Sequence, residues 1–228
     1  EVDLYEQNNT PGGKAGELNE EGYRFDTGPS LLTMPYVIKD LFEECGVNID
    51  DYLKIIKLDI ICKYFYSDNT TIVANSKPEK FADEIELKTS DTSTALFKYL
   101  NYCKIIYDLA GDLFLTKDPR SLSTYLNSKA LKTLLNIKKI DPFRTINEAN
   151  SSFFKDKKLV QLFTRYATYN GSNPYLAPAT LNIIPHVEYN QGSFIPEGGI
   201  YSVSKALEKL AVQKEVNVFT NHKVEEIV

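Results

Sequence analysis

The sequence predicts an α/β fold in which a partial nucleotide-binding unit, made from the two ends of the chain, is interrupted by a mainly helical domain carrying a small sheet. Three observations predict it. A short alternating strand near the N-terminus ends in an acid and enters a Gly-Gly turn. A second alternating strand lies near the C-terminus, behind an amphipathic helix. The stretch between them reads largely as apolar stripes at helical spacing. The expected partition is 1–58 for the first part of the nucleotide unit, 59–196 for the helical domain and 197–228 for the return into the first unit.

The opening strand alternates Val2 and Leu4 with Asp3 and Tyr5 and stops at Glu6, before Asn8-Asn9-Thr10-Pro11-Gly12-Gly13. In a dinucleotide-binding unit the second strand ends in an acid whose carboxylate accepts the ribose hydroxyls. Glu6 fits that position, although a strand-terminal Glu is also a common solvated residue. Paired glycines let a backbone approach a phosphate closely, and Lys14 follows them with a cation. Pro35 to Glu44 is the next expected helix, with Pro in its first turn and Gly46 beyond its end. Ile60–Tyr66 and Thr71–Ala74 flank Ser67-Asp68-Asn69-Thr70 as a hairpin.

Helical stripes then run through Thr94–Leu109 (Leu96, Leu100, Cys103, Ile106), Ser121–Ile137 (Leu126, Leu131, Leu134) and Lys158–Tyr169 (Leu159, Leu162, Tyr166). After Gly199, Val203, Leu207 and Leu210 mark another helix. Val216 and Val218, and then Val224 to Val228, alternate as strands.

Composition removes several function classes. The 228 residues are 43% apolar, enough for a core, and 26 Lys and Arg stand against 31 Asp and Glu, a net charge of −5. Without a basic cluster, nucleic acid is excluded as a partner. Cys45, Cys62 and Cys103 are odd in number, widely spaced and in no CxxC pair, so no disulfide framework or metal site is expected and a reducing, cytoplasmic setting fits. The charge-free stretch Tyr166–Val187 contains Gly171 and Pro174, Pro178 and Pro185, which argues against a membrane span. The first residues lack a signal pattern and an initial Met, and read as a cut end. Fifteen Tyr and twelve Phe, with no Trp, form either ordinary packing or the lining of a tunnel for a long apolar ligand.

The segment LYEQNNTPGGKAG, followed by GYRFDTGPSLLTMP, resembles the phytoene desaturase and amine-oxidase class of FAD enzymes. Asn173-Pro174-Tyr175, Ala177-Pro178-Ala179, Pro185-His186-Val187-Glu188-Tyr189 and Phe194-Ile195-Pro196-Glu197-Gly198-Gly199 resemble the carotenoid desaturase branch in particular. The resemblance implies a partial Rossmann-like FAD-binding domain joined to a substrate domain. It also implies a chain that is an internal part of a longer enzyme, since no Gly-x-Gly-x-x-Gly loop occurs anywhere in it. Such a part is expected to be inactive alone.

By the same resemblance, FAD is the cofactor, held by Glu6, Gly12, Gly13, Lys14, Thr27, Gly28, Pro29, Ser30 and Val224. Val224 is equally readable as a core strand residue. Asp26 and Arg165 are the candidate catalytic residues, Asp26 also being readable as a turn cap and Arg165 as a helix-surface cation. The implied reaction is hydride removal from an allylic carbon of a carotenoid precursor such as phytoene, to the flavin, with an unspecified electron acceptor. A carotenoid isomerase or oxygenase, or a non-catalytic isoprenoid-binding module, is the alternative. His186, in an apolar context, reads as a packed imidazole. A polyene dissolved in a bilayer implies peripheral membrane association, with the Phe97–Phe114 helix and Leu31 to Tyr36 as contact faces.

Overall fold

The computed structural model describes residues 1–227 except 116, 119, 122, 123, 125 and 127, and the backbone alone at 114 and 129. The chain divides into two compact units, Glu1–Leu58 with Ser193–Val228, and Asp59–Gly192.

In the first unit β1 (Val2–Tyr5) is followed by the hairpin of β2 (Glu17–Glu20) and β3 (Tyr23–Asp26), then α1 (Pro35–Glu44) and β4 (Ile55–Lys57). The β2–β3 turn is Glu21-Gly22, both at positive φ (50° and 84°), the geometry that matches strand twist in a two-residue hairpin. Helix α1 occupies the span expected of it, and Gly46 (φ 74°) lies just beyond its end.

The second unit opens with the antiparallel pair β5 (Ile60–Phe65) and β6 (Thr71–Asn75), the expected hairpin, with Asn69 at φ 64° in its loop. Then come α2 (Pro78–Lys88), α3 (Ser93–Leu115), α4 (Ser128–Leu135), α5 (Ile146–Phe153), α6 (Lys157–Thr164) and α7 (Ile183–Pro185). Helix α6 passes into a 3-10 turn, Arg165–Asn170, and α7 into a π-helical stretch, His186–Gln191. Back in the first unit, β7 (Phe194–Pro196) pairs antiparallel with β4, and α8 (Tyr201–Gln213) leads to β8 (Val216–Phe219). Strand β8 pairs parallel with β1, Val2 opposite Val216.

Each unit has its own core. Phe42 of α1, Ile49, Leu53 and the α8 residues Ala206 and Leu210 form that of the first. The second is built on Phe81, Leu96, Tyr99, Cys103, Leu159, Leu162, Phe163, Tyr166 and Tyr189. Tyr99, Tyr166 and Phe163 are fully buried, with the Phe154 and Phe163 rings stacked at 4.8 Å and Tyr99 4.4 Å from Phe163, so these aromatics are packing residues.

Three expectations need correction. Of the expected helix Ser121–Ile137, residues 122, 123, 125 and 127 lie outside those described, and the described helix starts at Ser128, continuing after Leu135 as a 3-10 turn at Ile137–Lys139. Its leucines Leu126, Leu131 and Leu134 are exposed, although their spacing marks an apolar face. Val224 to Ile227 form no strand and are exposed, and Val228 lies outside the described residues. Among the described residues no strand pairs with this segment to order the alternation. No helix among the described residues is long and apolar enough to cross a membrane.

Candidate functional site

Two arrangements carry chemistry, one in each unit. In the first, β1 delivers Glu6 to its C-terminal end, where the backbone N–H of Glu6 donates to Phe219 O at 2.9 Å. Its Oε1 accepts from the Asn8 backbone N–H (2.8 Å) and from Asn8 Nδ2 (2.7 Å), while Oε2 makes no hydrogen bond among the described residues. A strand-terminal carboxylate with one oxygen held and one available is suited to accept ribose hydroxyls.

The Gly-Gly turn and the Thr27-Gly28 segment interlock. Ala15 N–H donates to Gly12 O (3.0 Å) and Thr27 N–H to Gly16 O (3.0 Å). A Cβ on Gly28 would lie 1.8 Å from Lys14 O, and one on Gly12 (φ 124°) 2.6 Å from Ser204 Oγ. A Cβ on Gly13, at φ 54°, would meet no neighbour within 4 Å, and Lys14, Thr27, Gly28, Pro29 and Ser30 are all exposed. The structure therefore brings Gly12, Gly13, Lys14, Thr27 and Gly28 together. Val224 is exposed beyond the segment in which Asn221 N–H donates to Asn8 O and His222 N–H to Glu6 O.

Asp26 is placed as an anchor. Its carboxylate accepts from Arg24 Nη2 (2.8 Å) and from the backbone N–H groups of Ile200 (3.2 Å) and Tyr201 (3.4 Å), at the start of α8. A carboxylate there faces the positive end of the helix dipole. A Cβ on Gly199 would come 2.4 Å from Asp26 Oδ2, so this approach requires glycine. Glu17 extends the network, reaching Arg24 Nε (2.6 Å) and Lys205 Nζ (2.8 Å); these two partners hold its carboxyl below the usual carboxylate range.

In the second unit the end of α6 and the 3-10 turn set Arg165, Tyr166 and Tyr169 beside the π-helical stretch, which supplies Glu188 and Tyr189. Glu188 is 1% exposed, and both Tyr166 Oη and Tyr169 Oη donate to its carboxylate. Arg165 Nη2 donates to Tyr64 Oη (3.0 Å) and lies 3.9 Å from Glu188 Oε2, and its guanidinium carbon stands 4.6 Å from the Tyr166 ring centroid. Burial works against the Arg165 cation, but Tyr166, Tyr64 and Glu188 outweigh it and its pKa rises. Burial drives the Tyr166 and Tyr169 hydroxyls upward, with Glu188 adding to it, and pushes Tyr64 up to about 12. All three tyrosines thus remain hydrogen-bond donors at neutral pH. π-helical insertions of this kind concentrate at functional sites.

Arg165 also borders a cavity of about 1020 Å³ whose wall includes Phe154, Val160, Pro174 and Tyr175 with Lys155 and Lys157. The charge-free run from Tyr166 to Val187 ends at Glu188, and a single acid closing such an apolar stretch is the signal that picks it out. His186 is a packed imidazole, 4.4 Å from the Tyr107 ring and hydrogen-bonded through Nδ1 with Asn190 Nδ2. No group of three or more His, Cys, Asp or Glu that could hold a metal occurs among the described residues.

The fold has a match among solved structures. Wild-type putrescine oxidase bound to putrescine matches it with a TM-score of 0.52 at 13% identity, covering 95% of this chain and 44% of that one. The family model for flavin-containing amine oxidoreductases matches residues 1–228, and the chain belongs to that family, whose cofactor is FAD. Among characterised relatives, a 1-hydroxycarotenoid 3,4-desaturase from Flavobacterium sp. is 38% identical over 212 residues, 92% of this chain and 43% of the relative. A 4,4'-diapolycopene oxygenase from Methylomonas sp. is 31% identical over 226 residues, 99% of this chain and 45% of the relative. The chain thus spans a little under half the length of the curated relatives it matches.

The residues present fit part of an FAD site. The available Glu6 oxygen and the glycine turn beside an exposed lysine have the chemistry for a ribose and a phosphate.

Proposed function

We propose that the protein carrying this chain is an FAD-dependent oxidoreductase that desaturates an acyclic carotenoid precursor such as phytoene. The observation that carries the reading is the 38% identity to a carotenoid desaturase across 92% of the chain, together with a flavin-family match throughout. In this reading Glu6 accepts the ribose hydroxyls, and Gly12, Gly13 and Lys14 line the phosphates. Thr27, Gly28, Pro29 and Ser30 border the flavin, and Val224 borders the adenine. Bound FAD supplies the hydride-accepting chemistry.

The remaining work falls to the chain's own residues. A developing allylic cation is delocalised, so alignment and exclusion of water matter more than a strong base. The cavity wall beside Arg165, with Phe154, Val160, Pro174 and Tyr175 set among Asn147, Lys155, Lys157 and Gln161, offers a polyene an apolar strip on a mixed surface. Glu188, with its two tyrosine donors, fixes the orientation of the Arg165 guanidinium at the edge of that wall. Asp26 acts by holding the hairpin against the start of α8. With no Gly-x-Gly-x-x-Gly loop among its 228 residues, the chain by itself binds FAD weakly. A stoichiometric flavin spectrum on the purified 228-residue chain would contradict that point.

A second reading is favoured by the relatives named as oxygenases. Product analysis separates the two. Expressed in cells that accumulate phytoene, the protein is expected to yield a more conjugated, coloured polyene without added oxygen. Oxygenated products would favour the second reading. Unchanged phytoene would remove the phytoene assignment, and a panel of acyclic carotenoids then decides whether any desaturation remains.

A further inference from the structure

The cavity of about 1020 Å³ beside Arg165 is walled by the faces of two helices, both in the second unit. Helix α5 contributes Asn147 and Ser151, and Phe154 follows at its C-cap; α6 and its 3-10 continuation contribute Lys157, Gln161 and Arg165, each one turn after the last. Pro174 and Tyr175 complete the wall, their loop held to α5 where Asn147 N–H donates to Pro174 O (3.1 Å).

The charge lining this cavity is of one sign. Lys155, Lys157 and Arg165 border it and no acid does. The acids nearby in the sequence are taken up by backbone. Asp156 caps α6, accepting from the N–H groups of Lys158 (2.9 Å) and Ser90 (3.2 Å), and Glu148 closes the capping box with Thr145. The exposed Lys155 and Lys157 ammonium groups make no ion pair among the described residues. Glu188, behind Arg165, offsets one of the three cations and leaves two in excess. Arg165 is fixed from one side by Tyr64 Oη (3.0 Å) and by the Tyr166 ring, and it has donors to spare: Nε is buried without a partner, and Nη1 makes no hydrogen bond among the described residues. A buried donor without an acceptor is costly, and a guanidinium held in one orientation suits a bidentate oxoanion.

We propose that this cavity binds an amphiphilic oxoanion, a carboxylate or phosphate carried on an apolar chain. Arg165, Lys155 and Lys157 take the oxygens, and Phe154, Val160, Pro174 and Tyr175 take the chain. A bare inorganic anion gains nothing from the apolar strip, and an uncharged chain gains nothing from the cations, so the two halves together define the ligand. The volume is that of a site for a ligand of drug size. The inference does not rest on the reaction proposed above; in that reaction the ligand's chain and the polyene would compete for one strip.

The test is isothermal titration calorimetry on the flavin-loaded protein carrying this chain, so that the glycine turn is already filled. The probes are octanoate and octyl phosphate below their micelle concentrations, with octanol and inorganic phosphate as controls that carry one half of the ligand each. Both amphiphiles are expected to bind at least about tenfold more tightly than either control, and the tighter of the two names the head group. Lys155→Glu with Lys157→Glu should weaken their binding about tenfold or more, and Arg165→Lys, which keeps the charge and loses the fork, by about the same factor. Far-UV circular dichroism checks that each variant folds, and the lysine variant, wholly on the surface, keeps the test decisive if Arg165→Lys does not. The proposal is overturned if neither amphiphile binds, if either control binds as tightly as the amphiphiles, or if the lysine variant leaves binding unchanged. Each of those results leaves desaturation untouched, since that is read from the products.

Discussion

At the scale of single residues, the glycines separate into two kinds. Gly28 and Gly199 have no room for a side chain, the first against Lys14 O and the second against Asp26 and Arg24. Gly13 is constrained only by its φ of 54°. Gly28→Ala is therefore expected to lose roughly 1–3 kcal/mol, as overpacking does, whereas Gly13→Ala should cost about 1 kcal/mol for the left-handed backbone. Urea denaturation measures both. Glu188→Gln keeps the shape of the side chain but weakens the bonds from Tyr166 and Tyr169. A loss of about 2 kcal/mol is expected, and an unchanged midpoint would contradict the central place given to that carboxylate. The sequence pattern shows the Gly-Gly-Lys and Asp-Thr-Gly-Pro-Ser strings, but the backbone partners of Asp26, Ile200 and Tyr201, lie at the start of α8, 174 and 175 positions away. Its capping of that helix therefore becomes legible only once the chain is folded.

At the scale of elements, helices with caps and stripes are readable and those held by context are not. Helix α1 begins at Pro35 and ends before Gly46, local signals that need no tertiary information. Helix α5 escapes a periodicity search because it is only eight residues long, yet it carries a capping box in which Thr145 and Glu148 satisfy each other's backbone N–H groups. Thr145→Ala is expected to cost about 1 kcal/mol, seen as a lower urea midpoint. The β2–β3 hairpin has its own local sign, Glu21-Gly22, but its strands are only four residues each and largely exposed, so apolar alternation is weak.

Salt bridges between elements give the pH dependence. Lys158 of α6, with Thr70, holds the Asp68 carboxyl at about 2, below its usual 3.8. A carboxyl lowered in the folded state binds its proton less readily than in the unfolded chain, so its stabilisation is present above about 3.8 and is lost as pH falls toward 2. The melting temperature of Asp68→Asn should lie below wild type at neutral pH and converge with it across that window. His186 acts in the same direction at higher pH. Burial lowers its pKa from 6.5, with Asp108 opposing and Lys104 assisting, so its contribution is present above 6.5 and is lost on acidification through the lowered value.

At the scale of the whole molecule, the chain order explains what the sequence can and cannot reveal. Strands β1 and β8 lie at opposite ends of the sequence yet pair in parallel, as a nucleotide-binding unit with a domain inserted in it requires. The alternation of Val216 and Val218 is visible beforehand; the pairing register is not, since nothing local specifies a partner more than two hundred residues away. The cluster of Arg165, Tyr64, Tyr166, Tyr169 and Glu188 is likewise assembled from β5, the end of α6 and a π-helical turn. Periodicity reports none of those junctions, because the 3-10 and π-helical segments depart from the 3.6-residue repeat.

The central claim is that this family member uses FAD to oxidise a carotenoid. It is tested most directly by mixing the flavin-loaded protein carrying this chain with acyclic carotenoids in detergent, without oxygen, and following absorbance. The account predicts loss of the oxidised-flavin band together with a red shift of the polyene spectrum, one added double bond per flavin reduced. A flavin that stays oxidised with every acyclic carotenoid offered, while an artificial reductant still bleaches it, would contradict the account.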